Sequence, residues 1–223
     1  MARAGDDSKR RLTSNKKRKP SSASWLTRQL NDPYVKRAKA DGYRSRAAYK
    51  LAELDEKFGL LKGARRVVDL GIAPGGWSQV VRKRAPQAAI VGIDLLEVEP
   101  LEGVTIFQMD FMHDDAPRAL REALGGEPDL VLSDMAANTV GHKQTDHLRT
   151  MGLVEAGAWF AVENLAPGGA YVAKVLAGGT DNDLLALLKQ HFKTVKHAKP
   201  PASRKDSSEW YVIAQGFKGR AEG

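Results

Sequence analysis

Two apolar patterns alternate along the chain. Short runs such as "RRVVDLGIA", "AAIVGIDLL", "VTIFQMDF", "PDLVLSDMA" and "GAYVAKVL" are almost continuously apolar and end in turn residues. Runs of that kind predict strands buried on both faces of a sheet. Between them, "PGGWSQVVRKRA", "DDAPRALREALGG", "DHLRTMGLVEAGAWFAVENL" and "DNDLLALLKQHF" carry apolar residues at helical spacing. Pro117 falls in the first turn of the second of these, and Asp181 or Asn182 is placed to cap the fourth. An earlier helix is predicted where Ala47, Leu51, Leu54, Phe58 and Leu61 recur, with Ser45 as its cap and Gly59 and Gly63 at its exit. The last two strands, "TVKHAKP" and "SEWYVIAQGFK", are separated only by Pro200–Ser208, which suits a hairpin. The pattern predicts an α/β fold. It is a Rossmann-like, doubly wound, seven-stranded sheet, mostly parallel, with one antiparallel strand. Ligands of such sheets bind beyond the carboxyl ends of the strands.

Composition changes little of this. The chain has 223 residues, 42% of them hydrophobic and 28% charged, enough for one domain with an ordinary core. The absence of cysteine excludes disulfides and thiolate metal sites, and suits the cytoplasm. No apolar run is long enough to span a membrane, and the basic N-terminus lacks the apolar segment of a secretory signal. Charge adds more. The net charge is +8, yet residues 1–40 hold twelve Lys and Arg against three Asp. The arm therefore carries +9 and the remaining 183 residues −1. This predicts a basic, disordered arm at 1–40 and a folded domain at 41–223. An acidic polymer such as nucleic acid is the natural partner of the arm. The plainer alternative is a solubilising tail.

The candidate chemistry lies at the predicted strand ends. "VVDLGIAPGGWSQ" is a strand, a Gly-rich turn and a helix start, in which Gly71, Gly75 and Gly76 let a ligand approach the backbone. It lacks the G-x-G-x-x-G spacing of dinucleotide sites. The second strand ends in Asp94, placed to accept from ribose hydroxyls, and the third leads into Asp110, placed to accept from an adenine amine. Asp134 follows the fourth strand. With Asp69, these carboxylates are a poor cradle for phosphates and a good one for adenosine carrying a cation, which points to S-adenosylmethionine. The alternative is that each Asp merely caps the helix that follows. Lys174 stands inside an apolar run, between Tyr171, Val172, Val175 and Leu176, where an unpaired ammonium is costly. The histidines show no metal-ligand spacing, and no metal is expected.

Together, "SRAAYKL", "DLGIAPGGWSQ", "SDMAAN", "AKVLAGG" and "SSEWYVIAQGF" resemble, in order and spacing, the FtsJ/RlmE family of ribose 2′-O-methyltransferases. The match runs from about Tyr43 to Phe217. The resemblance implies the class I S-adenosylmethionine-dependent methyltransferase fold. It implies a Lys-Asp-Lys-Glu tetrad at Lys50, Asp134, Lys174 and Glu209, and cofactor contacts at Gly75, Trp77, Asp94, Asp110 and Asp134. "DMAAN" places the chain nearest the bacterial branch, which implies methylation of a 23S rRNA uridine in the A loop of the large subunit. The departures are the long basic arm and Ala137, where a proline is common. Alternatives are a tRNA 2′-O-methyltransferase, a base N-methyltransferase (which the sequence after the fourth strand disfavours) and a catalytically inactive RNA-binding relative. Taken alone, Lys50 reads as a surface helix lysine paired with Glu53 or Glu56. "ASRKDSS", before Glu209, suits a grip on a ribose-phosphate backbone, and Arg44, Arg46, Lys143 and Arg149 are further candidates for a basic surface. One compact domain makes a monomer the expected state.

Overall fold

A computed structural model describes residues 31–137, 143–176 and 182–220, and of Lys143 and Gln144 only the backbone. Residues 1–30 of the expected arm, Asn138, His142, Gly178, Gly179 and Asp181 lie outside the described residues. In chain order the elements are α1 (Pro33–Ala40), α2 (Ala47–Phe58), β1 (Arg66–Leu70), α3 (Gly76–Arg84), β2 (Ala89–Asp94), β3 (Val104–Gln108) and α4 (Ala116–Leu124). There follow β4 (Leu130–Ser133), α5 (Lys143–Asn164), β5 (Ala170–Leu176), α6 (Asn182–His191), β6 (Phe192–Ala198) and β7 (Glu209–Phe217).

The strands form one sheet of seven in the order β3-β2-β1-β4-β5-β7-β6. Pairings are parallel from β3 through β5, and β7 runs antiparallel to both neighbours, β5 and β6. This is the expected α/β sheet with its one reversed strand. β1 is the start of the winding: the chain moves outward through β2 and β3 on one side, then returns to β4 on the other. The crevice between the β1 and β4 ends is where such sheets bind ligands.

Alternation assigns the two faces. Val67, Ile90, Leu130, Leu132, Val172, Tyr211 and Ile213 pack against Leu51 and Leu54 of α2 and Trp77, Val80 and Val81 of α3. Their neighbours Val68, Val91, Val131, Tyr171 and Val212 pack against Leu120 of α4, Val154 of α5 and Leu184 and Leu188 of α6. Glycines in the left-handed conformation end α2 (Gly59) and α4 (Gly125), as the sequence suggests. Among the described residues, no helix is long and apolar enough to cross a membrane.

Two expectations need correction. The charge pattern extends the arm to residue 40, but Pro33–Ala40 is a helix: Asp32 caps it by accepting from the Tyr34 N–H at 3.0 Å, and Pro33 occupies the first turn. Its apolar contacts are few, namely Ala38 and Tyr34 beside Tyr49, Tyr43 and Ala202, so hydrophobic periodicity was too weak to reveal it. Ser45 does not cap α2. Arg46 takes the N-cap position without a side-chain bond, and the buried Ser45 hydroxyl lies instead against Gly76, where a Cβ would meet it at 2.6 Å.

Candidate active site

Four charged side chains that are far apart in sequence meet on the α2 and α3 face of the sheet. Lys174 lies opposite Tyr211 in the β5–β7 register, and Leu176 lies opposite Glu209. Cross-strand partners share a face, as do residues two apart on a strand. Lys174, Tyr211 and Glu209 therefore project toward α2, which supplies Lys50. The Lys50 Nζ donates to Glu209 Oε2 at 2.9 Å. The Lys174 Nζ donates to the Asp134 backbone carbonyl at 2.7 Å and pairs with Asp134 Oδ1 at 3.1 Å. Both lysines are buried, 8% and 7% exposed, so each ammonium needs the carboxylate it has found. Lys50 pairs with neither Glu53 nor Glu56. Glu56 holds Arg84, and Glu53 accepts from Tyr34 and from the Ala202 N–H.

The sequence reading missed Tyr211, which ties the two pairs together. Its hydroxyl donates to Asp134 Oδ1 at 3.1 Å, the Lys50 ammonium stands 5.8 Å from its ring centroid, and its ring packs against Trp77 at 5.7 Å. Burial and the Asp134 charge hold its phenol well above the ordinary range, so it remains a donor. The available signal was the alternation in "EWY", which puts Glu209 and Tyr211 on one face.

Asp134 also belongs to a second region. A cleft of about 270 Å³ opens at the ends of β1, β2, β3 and β4, lined by Asp94, Asp110 and Asp134 with Gly71, Ile93, Met109, Phe111, Met135 and Leu153 among others. Among the described residues, no Lys or Arg lines it. Asp94 accepts from the Ala73 N–H and the Leu96 N–H, both at 2.9 Å, which fixes its carboxylate and the Gly-rich turn together. Asp110 accepts from the Met112 N–H at 2.9 Å. Neither Asp94 nor Asp110 caps a following helix; the N-cap positions of α3 and α4 are taken by Gly75 and Asp115. Gly71 has φ +79°, and a Cβ there would sit 2.9 Å from the Met135 backbone nitrogen, so a larger residue would push apart the turns after β1 and β4. Beneath the cleft, Asp69 is fully buried. It accepts from the Ser78 hydroxyl at 2.7 Å, while its other oxygen has no partner. Burial pushes its carboxyl up to about 7; the Ser78 bond opposes this, and the charges of Asp134 and Asp94 add to it.

The structure does not bring every expected residue to the cleft. Gly75 and Trp77 are absent from its lining residues. Gly75 is the N-cap of α3 at φ +109°, and the Trp77 side chain is buried, with its indole donating to the Ala47 carbonyl at 2.8 Å. Any contact from Trp77 to a ligand would come from its backbone. Arg44 and Arg46 are not open basic surface. Arg44 donates to the carbonyls of Pro74, Glu99 and Pro100, and Arg46 to Asp32 at 2.6 Å and to the Ala202 carbonyl. Arg204 reaches Asp32 as well, at 3.3 Å, whereas Arg149 and Lys205 are exposed.

Comparisons with known proteins fit this geometry. The model of the FtsJ-like methyltransferase family matches residues 43–217. The chain is 77% identical to ribosomal RNA large subunit methyltransferase E of Erythrobacter litoralis, over 99% of this chain and 100% of that protein. It is also 77% identical to the protein of the same name from Novosphingobium aromaticivorans, over 100% of both. Among solved structures, a ribosomal RNA methyltransferase from Plasmodium falciparum superposes with a TM-score of 0.70 at 34% identity, covering 80% of this chain and 100% of that one.

Proposed function

Since the chain belongs to the FtsJ-like methyltransferase family, we propose that it transfers a methyl group from S-adenosylmethionine to the ribose 2′-hydroxyl of a uridine in the 23S RNA of the large ribosomal subunit. The names of its close relatives support the ribosomal substrate. The observation that carries the reading is the double use of Asp134, which lines the acidic cleft and pairs with Lys174. One residue thus joins the place for the methyl donor to the place for the acceptor.

The cleft fits the proposed cofactor. Its carboxylates accept hydrogen bonds and attract positive charge, as a ribose diol, an adenine amine and a sulfonium require, and they would repel a pyrophosphate. When bound, S-adenosylmethionine supplies a methyl group on a good leaving group. Asp94 and Asp110 are held by backbone N–H groups and keep lone pairs for the adenosine portion. The rest falls to positioning and to the proton. Lys174 is the residue proposed to act on the 2′-hydroxyl. The ammonium held by the Asp134 carbonyl and carboxylate is the resting form; the amine left when it gives up a proton takes the proton of the 2′-hydroxyl and so returns to that form. Tyr211 fixes that carboxylate by its own bond. Lys50 and Glu209 form the other wall against the ribose. Residues 1–30 add sequence-independent attraction to RNA phosphates, and their removal should flatten the salt dependence of RNA binding. An unchanged salt slope would remove the arm from the account.

The test is tritiated methyl transfer to large subunits from a strain lacking the modification, with mapping of the product. A 2′-O-methyl group at one 23S uridine is expected. A methylated base, or transfer to tRNA alone, would contradict the reading.

A further inference from the structure

Lys50 and Glu209 come from elements that the sheet does not hold together. Lys50 sits on α2, and Glu209 opens β7 after the loop 199–208. What sets their separation is a stripe of charge along α2. Arg46, Lys50 and Glu53 are spaced at i, i+4 and i+7, which places them on one helix face. Two of them reach this loop, and the third meets the strand it leads into. Arg46 donates to the Ala202 carbonyl, Glu53 Oε2 accepts from the Ala202 N–H at 2.7 Å, and Lys50 meets Glu209 at 2.9 Å. The helix therefore grips one loop residue by both backbone groups, from positions that flank Lys50.

The grip is closed by α1. Asp32 accepts from Arg46 at 2.6 Å and from Arg204 at 3.3 Å, and the Tyr34 hydroxyl donates to Glu53 Oε1 at 3.0 Å. Ala202 is fully buried against Tyr49 and Ala38. Beyond it the loop is tied to itself: Lys199 donates to the carbonyls of Lys205 and Ser207, and the Ser207 hydroxyl accepts from the Glu209 N–H at 2.9 Å. The loop is thus held at Ala202 by α2 and again, between Lys199 and Glu209, by its own bonds.

We propose that Arg46 and Glu53, braced by Asp32 and Tyr34, are positioning residues for the methyl transfer: by fixing both backbone groups of Ala202 they set Glu209 against Lys50. The inference rests on the tetrad reading given above. A displacement of about 1 Å at such a centre costs on the order of a hundredfold in rate.

Glu53→Gln tests it in the full-length protein. A glutamine that turns its oxygen to the Ala202 N–H must turn its amide to the Tyr34 hydroxyl, which then accepts instead of donating, so two charge-assisted bonds to a carboxylate are replaced by weaker neutral ones. The single-turnover transfer rate at saturating cofactor should fall at least tenfold, on the order of one positioning loss. Cofactor affinity should stay within about twofold, because Glu53 does not line the cleft. Glu56→Gln, which loses the Arg84 pair on the same helix, should leave the rate unchanged. The deciding readout is the cycle with Glu209→Gln. If Glu53 acts through Glu209, the double variant is no slower than Glu209→Gln alone. Tyr34→Phe, a milder cut of the same brace, should show a smaller loss with the same non-additivity and serves if Glu53→Gln folds poorly. An unchanged rate in both brace variants, or losses that multiply with Glu209→Gln, would overturn the proposal. A wild-type rate in Glu209→Gln itself would overturn the tetrad reading with it.

Discussion

Asp94 and Asp110 share a cleft with Asp134, whereas Lys50, Lys174 and Glu209 share ion pairs, and the two groups handle charge in opposite ways. In the cleft, carboxylates are fixed by backbone N–H groups and no Lys or Arg is among the described residues of the wall, so their charge is directed at whatever binds. On the α2 side each lysine already has its carboxylate, and Tyr211 sits between the pairs. The first region suits a positive, hydrogen-bonding ligand. The second is neutralised within the protein and so can be buried. On the proposed reading, one sheet edge holds a recognition site and a reaction site side by side, with Asp134 counted in both.

The comparison breaks most visibly at Lys174. Lys174→Ala should lower the single-turnover rate by about 10³-fold, within the range for loss of a general base. Asp69 is the next largest effect, and it probes a buried carboxyl whose bond is to the Ser78 hydroxyl. Its folded value of about 7 lies above an unfolded value near 4, so the stability it contributes is full below pH about 4 and is lost as pH rises through about 7. Asp69→Asn should therefore gain on the wild type between pH 5 and pH 8 by an amount on the order of a few kcal/mol, read by thermal unfolding at both pH values. A constant gap would show that Asp69 is ionised throughout. Asp94→Asn should weaken cofactor binding by about 10- to 100-fold, the worth of one charge-assisted bond, with little change in rate at saturation. An equal fall in rate would merge the two regions. Tyr211→Phe removes one bond to Asp134 and should slow transfer by roughly threefold to tenfold. A much larger loss would make the tyrosine part of the proton path itself.

From α2 onward the strand and helix order was legible because the elements obey their periods, and the short Pro200–Ser208 loop revealed the reversed last strand. Strand-end positions located Asp94, Asp110 and Asp134, since doubly wound sheets bind at that edge. Pairing was not legible. Lys50 and Glu209 are 159 residues apart, and only the tertiary packing of α2 on the β6–β7 loop reveals that Lys50 prefers Glu209 to its helix neighbours. The same packing turns Arg44 and Arg46 from candidate phosphate contacts into structural donors. Trp77 shows the limit of a motif: it stands in the right turn, but its side chain belongs to the core. The helix Pro33–Ala40 had a cap and a proline as signals, yet its charged surface read as arm.

The division of labour between cleft and lysine pairs is tested most directly by titrating S-adenosylmethionine into Lys174→Ala, in the same preparation used for its transfer rate. The account predicts a dissociation constant within about threefold of the wild type, because Lys174 touches Asp134 but does not line the cleft. Loss of binding in step with loss of transfer would contradict it, and would make Lys174 a support of the cleft instead of the group that acts on the ribose.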